Sequence, residues 1–359
     1  MKAGIFYGQG VVKIEDVPKP KAGRDEAIVK VAYCGICGSD RHVYYEGWPF
    51  PLIPETKPSA EGLQRVKYIP GHEITGIIEE VGSDIKDFKP GDEVAVYCIK
   101  YCGECYYCKK GLTHYCLEFD KNILGFSFDG GYAEYVKVPA RDLLHLPKDI
   151  NMKLGNLTLD TIGVPYGSFM EADIDKNKSI AIFGCGPIGL AGVKILKMRG
   201  VDNIYAVDIV DNKLKLAKEF GAKVVVNAAK EDPAKRIVDM ADGLGVDMAF
   251  DTSNTTEGFR KAIYSVRKGG NVYAIGEHPS LPHDLGEIFI SDILVHRHLG
   301  VRGLMYFAIG DHKNLVDYAR KDKEGFEKLV SNVFPLEKID EAFKVFFGDN
   351  ESIRVLIAP

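Results

Sequence analysis

A chain of 359 residues is long enough for two domains of ordinary size, and 46% hydrophobic with 27% charged residues describes a soluble globular protein. A formal net charge of −5 leaves no basic footprint for nucleic acid, and no apolar run, at the start MKAGIFYGQG or elsewhere, approaches membrane-spanning length. The eight cysteines are too sparse for a disulfide scaffold, and their clustering points to metal in a reducing compartment, so the expected address is the cytoplasm.

Residues 1 to about 155 read as mainly β. The β-rich runs are 27–33, 74–81, 93–97 and 132–138, punctuated by Gly71, Gly82 and Pro90-Gly91-Asp92. Residues 47–70 carry Pro49, Pro51, Pro54, Pro58 and Pro70 with little periodicity, and read as a loop or insertion. From Ser179 strands and helices alternate, with candidate strands at 179–183, 203–207, 224–227, 246–251, 271–276 and near 299–302. One intervening helix, 211–220, ends on Gly221. Alternation of this kind predicts a parallel sheet covered on both faces. The gap at about 277–298 is polar and irregular. Beyond residue 300, helical patterns at 312–321 and 339–347 lead to a terminal strand at 353–357.

The strongest local signal lies in 179–208. An apolar run meets Gly184-Cys185-Gly186-Pro187-Ile188-Gly189, then a helical pattern, then a second apolar run ending on Asp208. Strand, glycine turn, helix, strand and terminal acid in this order form the pyrophosphate-binding half of a dinucleotide fold. Gly184 permits the tight turn, Gly186 lets phosphates approach the backbone, and Gly189 lets helix and strand pack closely. Pro187 and Ile188 open the helix whose N-terminus favours the anion. Ile275, at the end of a later strand, is counted with these cofactor residues. A carboxylate at Asp208 can accept hydrogen bonds from the adenosine ribose and repels a 2′-phosphate, so NAD is favoured over NADP. The plain alternative is a strand-end or helix-capping acid.

Cys102, Cys105, Cys108 and Cys116 have the spacing C-x2-C-x2-C-x7-C. Four thiolates this close can surround one tetrahedral Zn²⁺ with no open position, and such a closed site does no chemistry. An iron–sulfur cluster or free cysteines are the alternatives, but nothing else in the chain suggests electron transfer. Farther upstream, Cys34-x-x-Cys37 lacks the βαβ context of a redox pair. His72 and Glu73 follow Gly71 directly before a strand; alone, that histidine reads as a packed core residue.

Together these pieces carry more. GICGSD (35–40), GHE (71–73), PGDEV (90–94), the four-cysteine lobe, DGGYAEYV (129–136), GCGPIGL (184–190) and VFPLEKIDEAF (333–343) resemble the signatures of the zinc-containing medium-chain dehydrogenase/reductase superfamily, the alcohol, sorbitol and threonine dehydrogenase group. The resemblance covers nearly the whole chain. It implies an α/β protein: a doubly wound, parallel-sheet Rossmann domain for NAD, expected at 157–299, and a mainly β, GroES-like catalytic domain with a zinc lobe, expected at 1–156 and 300–359. It also implies a homodimer or homotetramer acting on a small-molecule alcohol or polyol.

By resemblance, Cys37 and His72 are ligands of a catalytic zinc, Glu73 is a nearby carboxylate that ligates or stands behind the ligands, and Asp40 orients His72. The family's third ligand usually lies in a Glu-Pro, Asp-Pro or Cys motif upstream of the glycine turn. Here the chain departs, reading Leu159-Asp160-Thr161-Ile162-Gly163-Val164-Pro165. Aligning on Pro165 places Val164 at the ligand, which is chemically useless; aligning without gaps on ADID (172–175) and IFGCGPIG places Asp160 there. The alternative for Asp160 is a helix cap. Three protein ligands leave one position open. An alcohol oxygen bound there ionises near neutral pH, and its carbon can release a hydride to the nicotinamide. Ser39 and His42 resemble the family's relay, which takes the substrate proton outward.

The expected function is therefore a zinc-dependent, NAD-linked dehydrogenase of a secondary alcohol, polyol or sugar. The polar Arg41, Tyr44 and Glu46 suit a hydroxylated substrate, and Trp48, the only tryptophan, sits in the 47–70 segment that the family places by the substrate cleft. Two rivals stand beside it: an NADP-linked secondary-alcohol dehydrogenase, and a non-catalytic NAD- and zinc-binding protein.

Overall fold

The computed structural model describes residues 1–8, 10–41, 44–45, 68–119, 122–276, 289–348 and 351–359. They divide into two compact units, Met1–Asp160 with Ala308–Pro359, and Thr161–Phe307.

The first unit begins with an antiparallel pair, β1 (Lys2–Gly8) and β2 (Val11–Asp16). Its body is built from β3 (Glu26–Gly35), β4 (Glu73–Val81), β5 (Glu93–Val96), β6 (Tyr135–Pro139) and β7 (Leu143–His145). β3 pairs antiparallel with both β4 and β6, and β5 lies between β4 and β7. The reason β3 is central is in its sequence. Ala27, Ile28, Val29, Val31 and Cys34 are buried, which a strand covered on both faces requires. Helix Met152–Leu157 follows, its N-terminus capped by the Asn151 side chain, which accepts from Leu154 N at 2.9 Å.

The second unit opens with helix Asp160–Glu171, which starts on the last residue of the first unit and continues through Pro165. Its sheet contains β8 (Ser179–Phe183), β9 (Asn203–Asp208), β10 (Val224–Asn227), β11 (Val246–Asp251), β12 (Val266–Ala274) and β13 (Gly300–Gly303). All pairings are parallel, in the order β10-β9-β8-β11-β12-β13. The chain runs outward from β8 to β10, then crosses to the other side of β8. In doubly wound sheets that reversal marks where ligands bind, beyond the carboxyl ends of the strands. Phe183, Val207, Val226, Ala249, Ile263 and Val272 belong to the core that joins sheet and helices.

The boundary differs from the expected 299/300. β13 pairs with β12, Asn271 opposite Gly300, and this keeps residues 300–307 with the parallel sheet. The chain then returns to the first unit through helix His312–Lys321, β14 (Val330–Pro335), helix Ile339–Gly348 and β15 (Arg354–Ala358). β15 runs parallel to β14 and antiparallel to β3, Leu356 opposite Gly35. That pairing brings the end of the chain beside Cys37 and the start of β4. No described helix is long and apolar enough to cross a membrane.

Candidate active site

Three segments of the first unit converge on one cluster. Cys37 lies just past β3, His72 and Glu73 stand at the start of β4, and Asp160 follows helix 152–157. Each offers one donor atom, all within 4.8 Å of one another. His72 Nε2 is 3.3 Å from Asp160 Oδ2, and Cys37 Sγ is 3.8 Å from the same oxygen. His72, Glu73 and Asp160 are buried. A buried carboxylate is costly unless a cation or hydrogen-bond donors meet it. Asp160 Oδ1 and His72 Nδ1 have no hydrogen-bond partner among the described residues. A thiol, an imidazole nitrogen and a carboxylate are donors that zinc accepts, so the residues fit that ion.

The surroundings fix the donors. Asp40 Oδ2 accepts from Cys37 N at 2.9 Å and from the Tyr132 hydroxyl at 2.6 Å. Its Oδ1, also without a hydrogen-bond partner among the described residues, faces His72 Nδ1 at 3.8 Å. Burial pushes the Asp40 carboxyl up, while the charges and donors around it pull the other way. Gly71 adopts φ +95°, and a Cβ there would meet Cys34 Sγ at 2.7 Å and the Tyr132 ring at 3.0 Å. The turn that aims His72 therefore needs glycine.

Glu73 is fully buried and turns both oxygens to Arg354: Nη1 donates to Oε1 at 2.7 Å and Nη2 to Oε2. Arg354 also donates to the Ile36 carbonyl at 3.0 Å and to Asn156 Oδ1 at 3.2 Å. Burial lowers its pKa to about 10, which leaves the guanidinium charged at neutral pH. Arg354, Asn156 and Tyr132 were not foreseen as site residues. A signal for Arg354 was present, since it is the one charge in the apolar terminal strand SIRVLIAP.

The second cluster is local. Cys102, Cys105, Cys108 and Cys116 present their sulfurs to one point. Backbone N–H groups aim at them: Cys105 N lies 3.3 Å and Glu104 N 3.4 Å from Cys102 Sγ, and Cys102 N lies 3.3 Å from Cys116 Sγ. N–H donors stabilise thiolate over thiol; those of Cys108 and Leu117 bring Cys105 down to about 6. A tetrahedral four-thiolate zinc fits this set. Cys34, by contrast, is fully buried, and burial pushes its thiol well up, so it is no reactive partner for Cys37.

In the second unit the glycine turn leads from β8 into helix Pro187–Met198. Gly184 has φ +93°, and a Cβ on Gly189 would collide with the Gly184 carbonyl. A Cβ on Gly186 would project into open space, where an anion could approach. No side chain caps this helix, so its first N–H groups are left for a ligand, with Pro187 supplying none. Asp208, ending β9, accepts from Cys185 N at 2.6 Å, from Ile209 N at 2.8 Å and from Val210 N at 2.9 Å. It is thus fixed to the turn by its carboxylate, which keeps lone pairs free. Ile275, just past β12, donates its N–H to the Asp251 carbonyl at 3.0 Å.

Ser39 is half-buried between Cys37 and Asp40. His42, Glu46 and the segment 46–67, Trp48 included, lie outside the described residues. The Tyr44 hydroxyl is buried and donates to Asp340 Oδ1 at 2.8 Å, and the Arg41 guanidinium stacks over the Tyr45 and Phe347 rings at 5.2 and 5.8 Å. Tyr44 is thus held within the fold, while Arg41 remains exposed.

A doubly wound parallel sheet, a β unit and a buried donor set that fits zinc define a zinc-type, dinucleotide-dependent oxidoreductase. The comparisons agree. The alcohol dehydrogenase GroES-like domain matches residues 23–148, and the zinc-binding dehydrogenase family matches 187–321. An alcohol dehydrogenase of Geobacillus stearothermophilus is 32% identical over 347 residues, 96% of this chain and 95% of that protein. Sorbitol dehydrogenase of Bacillus subtilis is 28% identical over 360 residues, 100% of this chain and 97% of the relative. A crystal structure from Sinorhizobium meliloti, assigned as a zinc-binding dehydrogenase and bound to NADP, superposes with a TM-score of 0.84 at 27% identity, covering 100% of this chain and 99% of that one. The chain belongs to the zinc-containing medium-chain dehydrogenase/reductase superfamily, as an oxidoreductase acting on alcohols with NAD(P).

Proposed function

We propose that this protein is a zinc-dependent alcohol dehydrogenase that transfers a hydride reversibly between a secondary alcohol, polyol or sugar and NAD. The observation that carries the reading is the buried donor set. Cys37 Sγ, His72 Nε2 and Asp160 Oδ2 converge, while both Glu73 oxygens are engaged by Arg354. Three protein donors leave one position of a tetrahedral ion open, the arrangement of catalytic zinc. Zinc held there would act as a Lewis acid, lowering the pKa of an alcohol hydroxyl towards neutrality.

The chain's own residues do the rest. Asp40 draws the imidazole proton of His72 to Nδ1 and leaves Nε2 free to ligate. Ser39 takes the proton leaving the substrate hydroxyl and His42 passes it to water. Glu73 remains with Arg354 and supplies negative charge behind the ligands. Cys102, Cys105, Cys108 and Cys116 hold a second, closed zinc. The turn Gly184 to Gly189, with Pro187 and Ile188, receives the pyrophosphate, and Ile275 lines the cofactor site. NAD is favoured because Asp208, ending β9, offers the adenosine ribose a carboxylate, which accepts from hydroxyls and repels a 2′-phosphate.

The test is reduction of NAD and of NADP by zinc-loaded protein across secondary alcohols, butanediols, hexitols, inositols, aldoses and threonine, with zinc counted on the same preparation. Turnover of one class with NAD and two zinc ions per chain is expected. Turnover with NADP alone would overturn the role given to Asp208. Silence with one zinc would favour the non-catalytic rival.

A further inference from the structure

We propose that Asn156 is a positioning residue that sets the distance between the ligand atoms of His72 and Asp160. The inference rests on the reading that both residues hold the catalytic zinc. Asn156 lies in the last turn of helix 152–157 and is fully buried. Its Nδ2 donates at 2.7 Å to the carbonyl of Glu73, the residue that follows His72, and its Oδ1 accepts from Arg354 Nη2 at 3.2 Å. One side chain thus joins the backbone carrying His72 to the backbone that reaches Asp160 four residues later. The link between is short and stiff: Leu159 N donates to the Asn156 carbonyl at 3.1 Å, and Thr158 N to the Gly155 carbonyl at 3.1 Å.

An amide is required. A flipped amide would set NH₂ against the guanidinium and oxygen against the Glu73 carbonyl, so the neighbours allow one orientation. Aspartate has no donor for the carbonyl, and alanine satisfies neither neighbour. The same turn offers an internal control. Thr158 Oγ1 meets the Gly155 carbonyl at 2.6 Å and His312 Nε2 at 3.1 Å, contacts that do not touch the segment carrying His72.

The experiment exchanges Co²⁺ into the labile site of the full-length protein and records its ligand-field spectrum, with affinity for that site measured by chelator competition. Asn156→Ala is expected to shift the spectrum and weaken the site about 10- to 100-fold, as loss of groups that hold ligands does elsewhere. Thr158→Val should leave the spectrum in place. Asn156→Ser replaces Asn156→Ala if the latter does not fold, with the same shift expected. A spectrum unmoved in the Asn156 variants but moved in Asp160→Asn overturns the proposal alone. A spectrum unmoved in Asp160→Asn overturns the ligand assignment beneath it. Equal shifts from Thr158→Val and Asn156→Ala would mean general loosening of the turn, and the proposal would fall.

Discussion

The two donor clusters of the first unit are built on opposite plans. The four-cysteine set is closed within residues 102–116, and its sulfurs are stabilised by N–H groups of the same loop. The mixed set draws Cys37, His72 and Asp160 from three separate segments, and the Glu73 carboxylate beside it is paired with Arg354 on the last strand. A local cluster needs only its own loop to form. A distributed one forms only when β3, β4, helix 152–157 and β15 are all in register, so it reports on the fold of the whole unit.

The largest expected effect separates the two outright. Cys37→Ser should remove one zinc per chain and lower turnover by roughly a thousandfold or more, since a Lewis acid is worth several kcal/mol to the reaction. Cys105→Ser should also remove one zinc, but its main cost should appear in thermal stability. Metal counts, melting and turnover on the two variants check this. Retained activity in Cys37→Ser would sink the proposed chemistry.

The contrast explains what the sequence could reveal. The cysteine lobe is legible from spacing alone, and the glycine turn from the order strand, turn, helix, strand, acid. Cys37, His72 and Asp160 carry no such local code; each alone reads as an ordinary buried or capping residue, and only a resemblance to a family joined them. Arg354 and Asn156 were missed because their partners are set by β15 lying against β3, a pairing no local pattern encodes. The same limit hid β14, whose alternating half-exposed residues, Val330 to Pro335, give no continuous apolar run. Tyr44 and Arg41 give no lead to the substrate for a related reason, because both are engaged within the chain, Tyr44 by Asp340 and Arg41 by the Phe347 ring.

A second prediction concerns the seat of the cysteine lobe. Asp142 is 1% exposed, and neither carboxylate oxygen has a hydrogen-bond partner among the described residues. Its carbonyl accepts from Tyr97 N at 2.8 Å, and the adjoining Arg141 lies 3.5 Å from the Cys102 carbonyl. Burial pushes the carboxyl up to about 8, against the pull of Arg141 and Lys100. The folded protein then holds a proton that the unfolded chain has lost above pH ~4. Stability from this group is therefore full below that pH and declines as pH rises to about 8, by at most on the order of 5 kcal/mol. Asp142→Asn should flatten the decline, as read from urea midpoints of zinc-loaded protein between pH 5 and 9. Equal slopes in the two proteins would show that the carboxylate finds a partner in solution.

The mixed cluster depends on its cation in a way the lobe does not. Arg354→Leu leaves the Glu73 carboxylate buried without its partner, and should destabilise the protein by about 3–5 kcal/mol. Lys109→Ala and Lys110→Ala, beside the lobe, should cost within about 0.5 kcal/mol, since both lysines are solvent-exposed. A near-neutral Arg354→Leu would mean that Glu73 turns to the metal instead.

The smallest effect tests the finest part of the geometry. Asp40 Oδ2 is occupied by Cys37 N and Tyr132, while Oδ1 and His72 Nδ1, 3.8 Å apart, have no hydrogen-bond partner among the described residues. Asparagine conserves volume, and its oxygen can keep the two existing bonds. Its NH₂ then faces His72 Nδ1 and favours the tautomer with the proton on Nε2, the atom that must ligate. Asp40→Asn should therefore weaken the catalytic zinc about 10- to 100-fold while leaving the four-thiolate zinc and the melting of the metal-free protein unchanged. Chelator competition resolves the two sites in one titration. Equal weakening at both sites would show that Asp40 supports the fold as a whole, and the distinction between a local and a distributed metal site would lose its clearest evidence.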